Sequence, residues 1–286
     1  MTHIETLTSF TQKLNFTEVN GVYSKEINGE QFTFKSIADY NDFQSTIPVQ
    51  QESFSIEKDL DVCPADMLAT LKELGGSVTA SYDSQQQLAS FIYLWPKNIQ
   101  GVYWLDMIGV LKKYQDHGVG QEIFKVLVLE SIKRGNISQI DLTYDPLKVR
   151  NANLYIKKMG GRVCNFKHNP YGEALDGDRF VVSYDISDPV STVNRIANPK
   201  NISPEEVDLY NLPHIRNGNY PDASQVVLTA PRENDLPPEI RQQFSNHYRI
   251  IGDRYINENG YTINKFITTK IDDIHRNYYL LENKNL

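Results

Sequence analysis

The residues with the clearest chemical meaning are Gln115, Gly118 and Gly120, which follow an apolar segment that ends at Val110. The apolar segment predicts a strand, and apolar positions at helical spacing after Gly120 predict a helix. The first N–H groups of a helix lack intrahelical partners and lie at the positive end of its dipole. Glycines let the main chain approach an anion closely. Residues 115–120, here called the glycine loop, are therefore predicted to bind a diphosphate.

Two other nucleotide-binding motifs fit this segment poorly. The dinucleotide fingerprint is G-x-G-x-x-G with an acidic residue about twenty positions later, and Asp116 stands where its first glycine would be. A phosphate loop of the G-x-x-x-x-G-K-[ST] type needs a Lys-Ser or Lys-Thr pair, and neither follows Gly120. An ordinary turn before a packed helix remains the alternative.

The glycine loop resembles the acetyl-coenzyme A loop of the GNAT superfamily of N-acyltransferases. In that family a strand ends in valine and is followed by Gln/Arg-x-x-Gly-x-Gly/Ala, which Val110, Gln115, Gly118 and Gly120 match. The later elements follow the family's order. A predicted helix begins at Asn151 and ends at residues 158–160 (Lys-Met-Gly). The resemblance covers residues 31–186.

Within the superfamily the chain resembles a little-characterised bacterial branch with a C-terminal extension. The matching phrases are Leu74-Gly75-Gly76, Thr143-Tyr144-Asp145-Pro146-Leu147, Tyr171-Gly172, Asp178-Arg179 and Tyr279-Leu280-Leu281.

The resemblance implies that acetyl-coenzyme A, or another acyl-coenzyme A, is the co-substrate and that no metal takes part. Main-chain amides of the loop would bind the pyrophosphate, Ile108 and Val110 would line the pantetheine arm, and an N–H near Gly109 would polarise the thioester carbonyl. The cofactor-binding residues implied in this way are Ile108, Gly109, Val110, Gln115, Asp116, His117, Gly118, Val119, Gly120, Gln121 and Asn151.

The implied reaction is direct transfer of an acyl group, acetyl above all, to the primary amine of a small molecule such as an amino acid. Many members protonate the departing thiolate with a tyrosine whose position is occupied here by Ile156. Tyr155 is one residue early, which turns its side chain by about 100° on a helix, so we expect it to pack and solvent to act as the acid. A coenzyme A-binding or regulatory protein with little turnover is the alternative.

Four residues outside the loop are candidates for the acceptor side, each with a structural alternative. Asp145 could accept a proton from the amine, but Asp-Pro after a strand is also turn chemistry. Asp106 lies in an otherwise apolar strand and is either polar in a cleft or simply exposed. Arg179 could pair with a substrate carboxylate, with Asp178 as its obvious structural partner. Tyr171 is either a catalytic or acceptor-lining residue or a loop anchor.

Composition narrows the class of protein. The chain has 286 residues, 40% of them apolar, and a formal net charge of −7, which argues against a nucleic-acid partner. Its start carries no basic and apolar leader, and no apolar run is long enough to span a membrane. Cys63 and Cys164 have no metal-type spacing. We expect a cytoplasmic protein with neither membrane nor nucleic acid as partner.

The order of elements predicts an α/β (α+β) protein. Residues 1–187 are expected to form a GNAT-like mixed twisted sheet flanked by helices, preceded by a hairpin at Asn28-Gly29. Residues 188–286 are expected to hold a loop-like linker to about residue 220 and then a small α+β module of one helix over three strands. Small sheets seldom stand alone, so this module is also a candidate for edge-strand pairing in a homodimer.

Overall fold

The computed structural model describes residues 3–56, 62–172, 177–199, 201–216, 218–271 and 273–283. Its helices are α1 (His3–Lys13), α2 (Tyr40–Phe54), α3 (Ala65–Glu73), α4 (Val119–Arg134), α5 (Val149–Ala152), α6 (Pro189–Ala197) and α7 (Pro238–Ile251). Single π-helical turns, Asn153–Lys158 and Gly252–Glu258, continue α5 and α7. None of these described helices is long and apolar enough to cross a lipid bilayer.

The strands alternate with these helices. They are β1 (Thr17–Val19), β2 (Val22–Ile27), β3 (Glu30–Ile37), β4 (Ser77–Tyr82), β5 (Leu88–Pro96), β6 (Val102–Val110), β7 (Gln139–Tyr144), β8 (Arg162–Lys167), β9 (Arg179–Asp185), β10 (His214–Ile215), β11 (Gln225–Ala230), β12 (Thr262–Ile271) and β13 (Ile274–Glu282). The predicted class, a mixed sheet flanked by helices with a further α+β module, is confirmed.

The chain forms two compact units. The first comprises residues 1–141 and 185–197, and the second comprises residues 142–184 and 198–286. Their division falls inside β7 and not at the expected boundary after residue 187. The reason is that the β8–β9 hairpin belongs with the C-terminal strands, because Val163 of β8 pairs with Ile263 of β12.

In the first unit the strand order is β1-β2-β3-β4-β5-β6, antiparallel throughout, with the beginning of β7 parallel to β6. Helix α2 packs against β5 and β6, and α3 packs against β4. They cover an apolar cluster that includes Phe43, Leu68 and Phe91, all nearly inaccessible to solvent. Helix α4 packs against β3 to β6. The glycine loop thus lies between a central strand and a buried helix.

In the second unit the order is β9-β8-β12-β13-β11-β10, with the end of β7 beside β9. Buried aromatic rings form much of its core. Phe180 meets Tyr279 edge to face with ring centroids 5.6 Å apart, and Tyr144 packs against both Tyr155 and Phe180. The hydroxyl of Tyr279 donates to the carbonyl of Pro146 at 2.9 Å, so the C-terminal hairpin holds the turn that follows β7.

The predicted hairpin at Asn28-Gly29 is confirmed. Asn28 and Gly29 have φ values of 51° and 82°, which are the left-handed angles that a type I′ turn requires at both central positions.

The expectation that residues 187–220 pack only as loop was wrong, because α6 begins at Pro189. The Asp188 carboxylate accepts the amides of Val190 and Ser191 at 3.0 and 3.2 Å. Asp188 is therefore the N-cap of α6, and Pro189 occupies its first helical position.

A buried charge cluster holds the start of α4. Glu122 accepts from Lys25 at 2.6 Å and from Lys125 at 2.8 Å, and the three side chains keep at most 16% of their surface exposed. Lys25 also donates to the carbonyl of Leu14 at 2.9 Å. The N-terminal segment is therefore tied to the first turn of the helix that follows the glycine loop.

We predict that Glu122→Gln lowers the free energy of unfolding by about 3–5 kcal/mol, because it leaves two ammonium groups without a buried counter-charge. Urea denaturation measures the shift in midpoint. Lys133→Gln is the control, since its pair with Glu130 is 3.6 Å apart and exposed; it should cost less than about 1 kcal/mol. Equal shifts for the two variants would contradict the cluster's role.

Candidate functional site

Strand β6 has two neighbours in its first part and one in its last part. It pairs with β7 through Val102, Tyr103 and Trp104, and its ladder with β5 continues to Val110. Beyond Trp104, six further residues of β6 therefore present one edge that no described β7 residue pairs in a ladder. Such an edge offers main-chain donors and acceptors to an extended ligand.

A β-bulge interrupts β6 next to this edge. Leu105 pairs with Leu94 and Ile108 pairs with Ile92, so β6 spends one more residue than β5 over the same stretch. The extra residue falls at Asp106 or Met107. A bulge interrupts the alternation of side chains and changes the direction of one of them. The residue pattern of this strand does not predict the bulge.

Gly109 is required by packing. A Cβ at this position would lie 2.4 Å from Cε1 of Phe91, the residue directly opposite on β5. The ring of Phe91 stacks on Tyr93 with centroids 4.6 Å apart, so it cannot move aside cheaply. The glycine therefore allows β5 and β6 to pack closely near the end of β6.

Asp106 is the polar residue beside the bulge. It is exposed, and desolvation by the surrounding protein raises the pKa of its carboxyl group. The Trp95 indole N–H opposes this pKa shift but lies outside hydrogen-bond geometry and has no partner among the described residues.

Two further groups surround Asp106. Burial raises the pKa of the Cys63 thiol to about 11, and the charge of Asp106 adds to that shift. The hydroxyl of Tyr93 donates to Thr46 at 2.7 Å, and Asp106 also contributes to the raised pKa of this phenol. Cys63 is therefore a packing residue and not a thiolate nucleophile.

Side chains and turns shape the glycine loop before the helix begins. A single 3₁₀ turn, Lys112–Tyr114, follows β6. The side-chain amide of Gln115 reaches back and donates to the carbonyl of Val110 at 2.9 Å. Asp116 and Gly118 then take left-handed angles, with φ of 65° and 97°. The glutamine of the motif thus braces the loop, and Gly118 makes the final bend.

The loop ends on four main-chain donors without acceptors. In the described part of the chain, the N–H groups of residues 117–120 (His-Gly-Val-Gly) have no hydrogen-bond acceptor. Gly118 is the N-cap of α4 and supplies no capping side chain. The amide of Gln121 differs from these four, because it donates to the carbonyl of Gly118 at 2.9 Å. The positive end of a helix favours negative charge, so amides in this position suit an anion.

The His117 side chain is exposed. The carbonyl of His117 accepts from the Asn28 side chain at 3.3 Å. The hairpin turn at Asn28 therefore touches the outer side of the loop, and the imidazole plays no part in this contact.

Asp145 lies in the second unit and has donors on both oxygens. It accepts the amide of Leu147 at 2.9 Å and the guanidinium of Arg241 from α7 at 2.8 Å. These contacts are those of a turn residue held in an ion pair. Sequence reasoning missed Arg241, because nothing in a helix so far along the chain marks it as a partner of this turn.

Arg179, also in the second unit, does not pair with the Asp178 carboxylate as the sequence suggested. That carboxylate accepts from Arg249 of α7 at 2.8 and 3.3 Å. Arg179 instead donates to the carbonyls of Gly177 and Asp178 and lies over the ring of Tyr171 at 5.6 Å. Asp178 directly precedes Arg179, the first residue of β9, and consecutive side chains of an extended chain point to opposite sides.

Tyr171 and Asn151 are placed by short segments of the second unit. The exposed Tyr171 shares a hydrogen bond of 2.9 Å with the hydroxyl of Thr143 at the end of β7. Asn151 lies in the single turn of α5, where its amide donates to the carbonyl of Lys148. Tyr155 is buried against Tyr144, and burial raises its pKa, as expected of a packing residue.

No family model matches the sequence, and no curated protein matches it. Solved structures do resemble it: the ribosomal-protein-S18-alanine N-acetyltransferase from Escherichia coli has 18% identity and a TM-score of 0.46, over 55% of this chain and 94% of that one.

Two more neighbours are of the same kind. An acetyltransferase of the GNAT family from Streptococcus pneumoniae has 13% identity and a TM-score of 0.45, over 54% of this chain and 98% of that one. Aminoglycoside 6′-acetyltransferase type Ii has 18% identity and a TM-score of 0.44, over 54% and 96%. At such identities the likeness concerns the fold alone.

We predict that Asp106→Asn stabilises the protein near neutral pH. Burial disfavours the charged form of this carboxyl group and raises its pKa in the folded state. The folded protein therefore loses stability as pH rises from the pKa of the unfolded state to that of the folded state. The amide carries no such charge, so the difference between variant and wild type should shrink as pH falls and Asp106 becomes protonated. Thermal unfolding across this pH range measures it; a destabilised variant at neutral pH would contradict the desolvated carboxylate.

Proposed function

We propose that this protein transfers an acyl group from acyl-coenzyme A to a primary amine. One observation carries the proposal: the main-chain N–H groups of residues 117–120 have no acceptor among the described residues and lie at the N-terminus of α4. A diphosphate supplies oxygens for several donors at once, and the helix dipole favours its negative charge.

The edge of β6 next to these donors suits coenzyme A better than a simple nucleotide. Residues 105–110 are paired with β5 on one side only. The pantetheine arm of coenzyme A contains two amide groups and is extended, so it can add to such an edge as a short strand would. The same edge then leads from the diphosphate site toward the bulge beside Asp106.

The chemistry is direct attack of the amine nitrogen on the thioester carbonyl, with coenzyme A thiolate as the leaving group. An N–H on β6 near Gly109 or Val110 polarises the carbonyl and stabilises the oxyanion that forms. Holding the amine and the thioester together removes most of the entropic cost of their encounter. No covalent enzyme intermediate is needed.

Asp106 is the better candidate for the general base. The amine must be neutral to attack, and a carboxylate with a raised pKa accepts its proton more readily than an ordinary one. Asp106 is exposed, whereas both oxygens of Asp145 are already held by donors. With Tyr155 buried, solvent protonates the thiolate.

The acceptor we propose is a small primary amine such as an amino acid. Arg179 remains the residue proposed to bind its carboxylate and Tyr171 a residue proposed to line its pocket, and acetyl is the acyl group proposed first.

One observation favours the alternative of a coenzyme A-binding protein without turnover. Tyr155, next to the position of the usual acid, is buried against Tyr144. A screen of primary amines that follows release of free thiol separates the two functions. Tight binding of coenzyme A with no thiol release for any amine would favour the binding protein.

We predict that Gly118→Ala weakens binding of coenzyme A at least tenfold, because a left-handed φ of 97° strains a residue with a Cβ and shifts the loop amides. Gly135→Ala is the matched control: it places the same strain, at φ of 71°, at the other end of α4. Both positions have open space for a Cβ.

Isothermal titration with desulfo-coenzyme A measures both affinities, and thermal unfolding checks that the two variants lose similar stability. Weakened binding for Gly135→Ala and not for Gly118→Ala would place the diphosphate elsewhere.

We predict that Asp106→Asn lowers kcat/KM for the amine by about 10²–10⁴-fold near neutral pH, the usual contribution of a general base. The deficit should shrink as pH rises, because more of the amine is already neutral. Initial rates of thiol release from acetyl-coenzyme A across pH measure it. A rate unchanged at every pH would remove Asp106 from the mechanism.

A further inference from the structure

We infer that Asp83 is a positioning residue that holds the glycine loop ready for its ligand, a role that rests on the proposed function. Asp83 follows β4 in the turn that leads to β5, far along the chain from the loop. Its side chain is 1% exposed, although a carboxylate in a hairpin turn is ordinarily found at the surface.

Each oxygen of this carboxylate holds a different turn. Oδ1 accepts the main-chain amides of Gln85 and Gln87 at 3.0 and 2.9 Å, which closes the turn of its own hairpin. Oδ2 accepts the hydroxyl of Tyr114 at 2.8 Å and the ammonium of Lys113 at 3.2 Å. These hydrogen bonds hold the pKa of the Asp83 carboxyl below its ordinary value, against the opposing effect of desolvation.

Tyr114 and Lys113 form the 3₁₀ turn that leads directly into Gln115. The ring of Tyr114 is buried and meets Phe32 edge to face at 5.1 Å. The ammonium of Lys113 lies 4.5 Å from the centroid of the same ring. Lys113 is therefore engaged by both Asp83 and the Tyr114 ring, although half of its side-chain surface stays exposed.

Asp83 has one competitor for the Tyr114 proton. Glu30 of β3 accepts the same hydroxyl at 3.0 Å. A phenol has a single proton to donate, and the bond to Asp83 is the shorter and the more buried of the two. Asp83 also binds Lys113, which Glu30 does not. The two carboxylates are therefore expected to differ in effect.

The consequence is pre-organisation of the anion site. The amides of residues 117–120 bind no protein acceptor among the described residues, so they do not hold themselves in place. A loop that Tyr114 already holds in place loses little conformational entropy when the diphosphate binds. The affinity is higher because this entropic cost is smaller. Asp83 touches neither the thioester nor the amine, so its loss should affect binding and not the chemical step.

The test uses three single variants and one double variant of the full chain. Asp83→Asn keeps an oxygen for the hairpin amides, removes the charge that binds Lys113, and leaves the Tyr114 oxygen only an NH₂ donor in place of a carboxylate acceptor. The charged link to the loop is lost while the hairpin stays closed. Tyr114→Phe breaks the same link from the other side. Glu30→Gln is the matched control, because it changes the other carboxylate at the same hydroxyl. The double variant combines Asp83→Asn with Tyr114→Phe.

Two measurements are made on each protein. Isothermal titration with desulfo-coenzyme A gives the affinity. Hydrogen exchange on the ligand-free protein follows the bonded amides of Tyr114, Gln115 and Gln121, which report the order of the loop whether or not the ligand binds.

We expect Asp83→Asn and Tyr114→Phe each to raise Kd about tenfold, the loss of one hydrogen bond to a charged group, and the double variant to be no weaker, since both remove one link. Exchange of the three amides should quicken in both variants. The KM for acyl-coenzyme A should rise while kcat stays within twofold.

Several results would overturn the inference: unchanged exchange in Asp83→Asn, an effect of Glu30→Gln as large as that of Asp83→Asn, or a fall in kcat with KM unchanged. If wild-type protein itself binds no coenzyme A, the proposed function fails, and exchange at the three amides alone then decides whether Asp83 positions the loop.

Discussion

Main-chain N–H groups at the start of a buried helix need acceptors, and here residues 117–120 find none among the described residues. Such donors are costly to bury and inexpensive to leave at a surface that an anion can visit. Val119 is buried, whereas Gly118 and Gly120 keep part of their surface exposed. Gly118 supplies a bend that a residue with a Cβ enters only with strain, and α4 adds its dipole. The candidate function follows from this constraint, because a diphosphate satisfies the donors together and a neutral ligand does not.

Contacts around the glycine loop hold its main chain in place, so that its own carbonyls do not accept from its N–H groups. The Gln115 side chain satisfies the carbonyl of Val110, and the Glu122 carboxylate is engaged by two buried lysines. Asp83 ties the preceding turn to a neighbouring hairpin. These contacts use charged groups in poorly solvated places, where a pair is strong when complete and destabilising when broken. Fixed contacts around main-chain donors that have no acceptor are typical of a pre-organised binding site.

In the second unit, the segment after residue 198 contributes more than additional strands. Helix α7 supplies Arg241 to Asp145 and Arg249 to Asp178, so charged residues near the ends of β7 and β9 are fixed by the C-terminal part of the chain. This explains why the compact units do not follow the expected boundary at residue 187. It also moves the best candidate for a general base from Asp145, which is held in an ion pair, to Asp106 in the first unit.

The sequence by itself determined the class of fold, the hairpin at Asn28-Gly29, and the order of strand, loop and helix around Gly118. Each of these depends on local signals: apolar periodicity, left-handed angles that glycine and asparagine tolerate, and the unpaired amides of any helix start. Only the tertiary structure decided the bulge at Asp106, the partners of Asp145, and the place of Asp83 beneath the loop. Those features join residues distant in the chain, and a distant contact leaves no periodic or local trace in a single sequence.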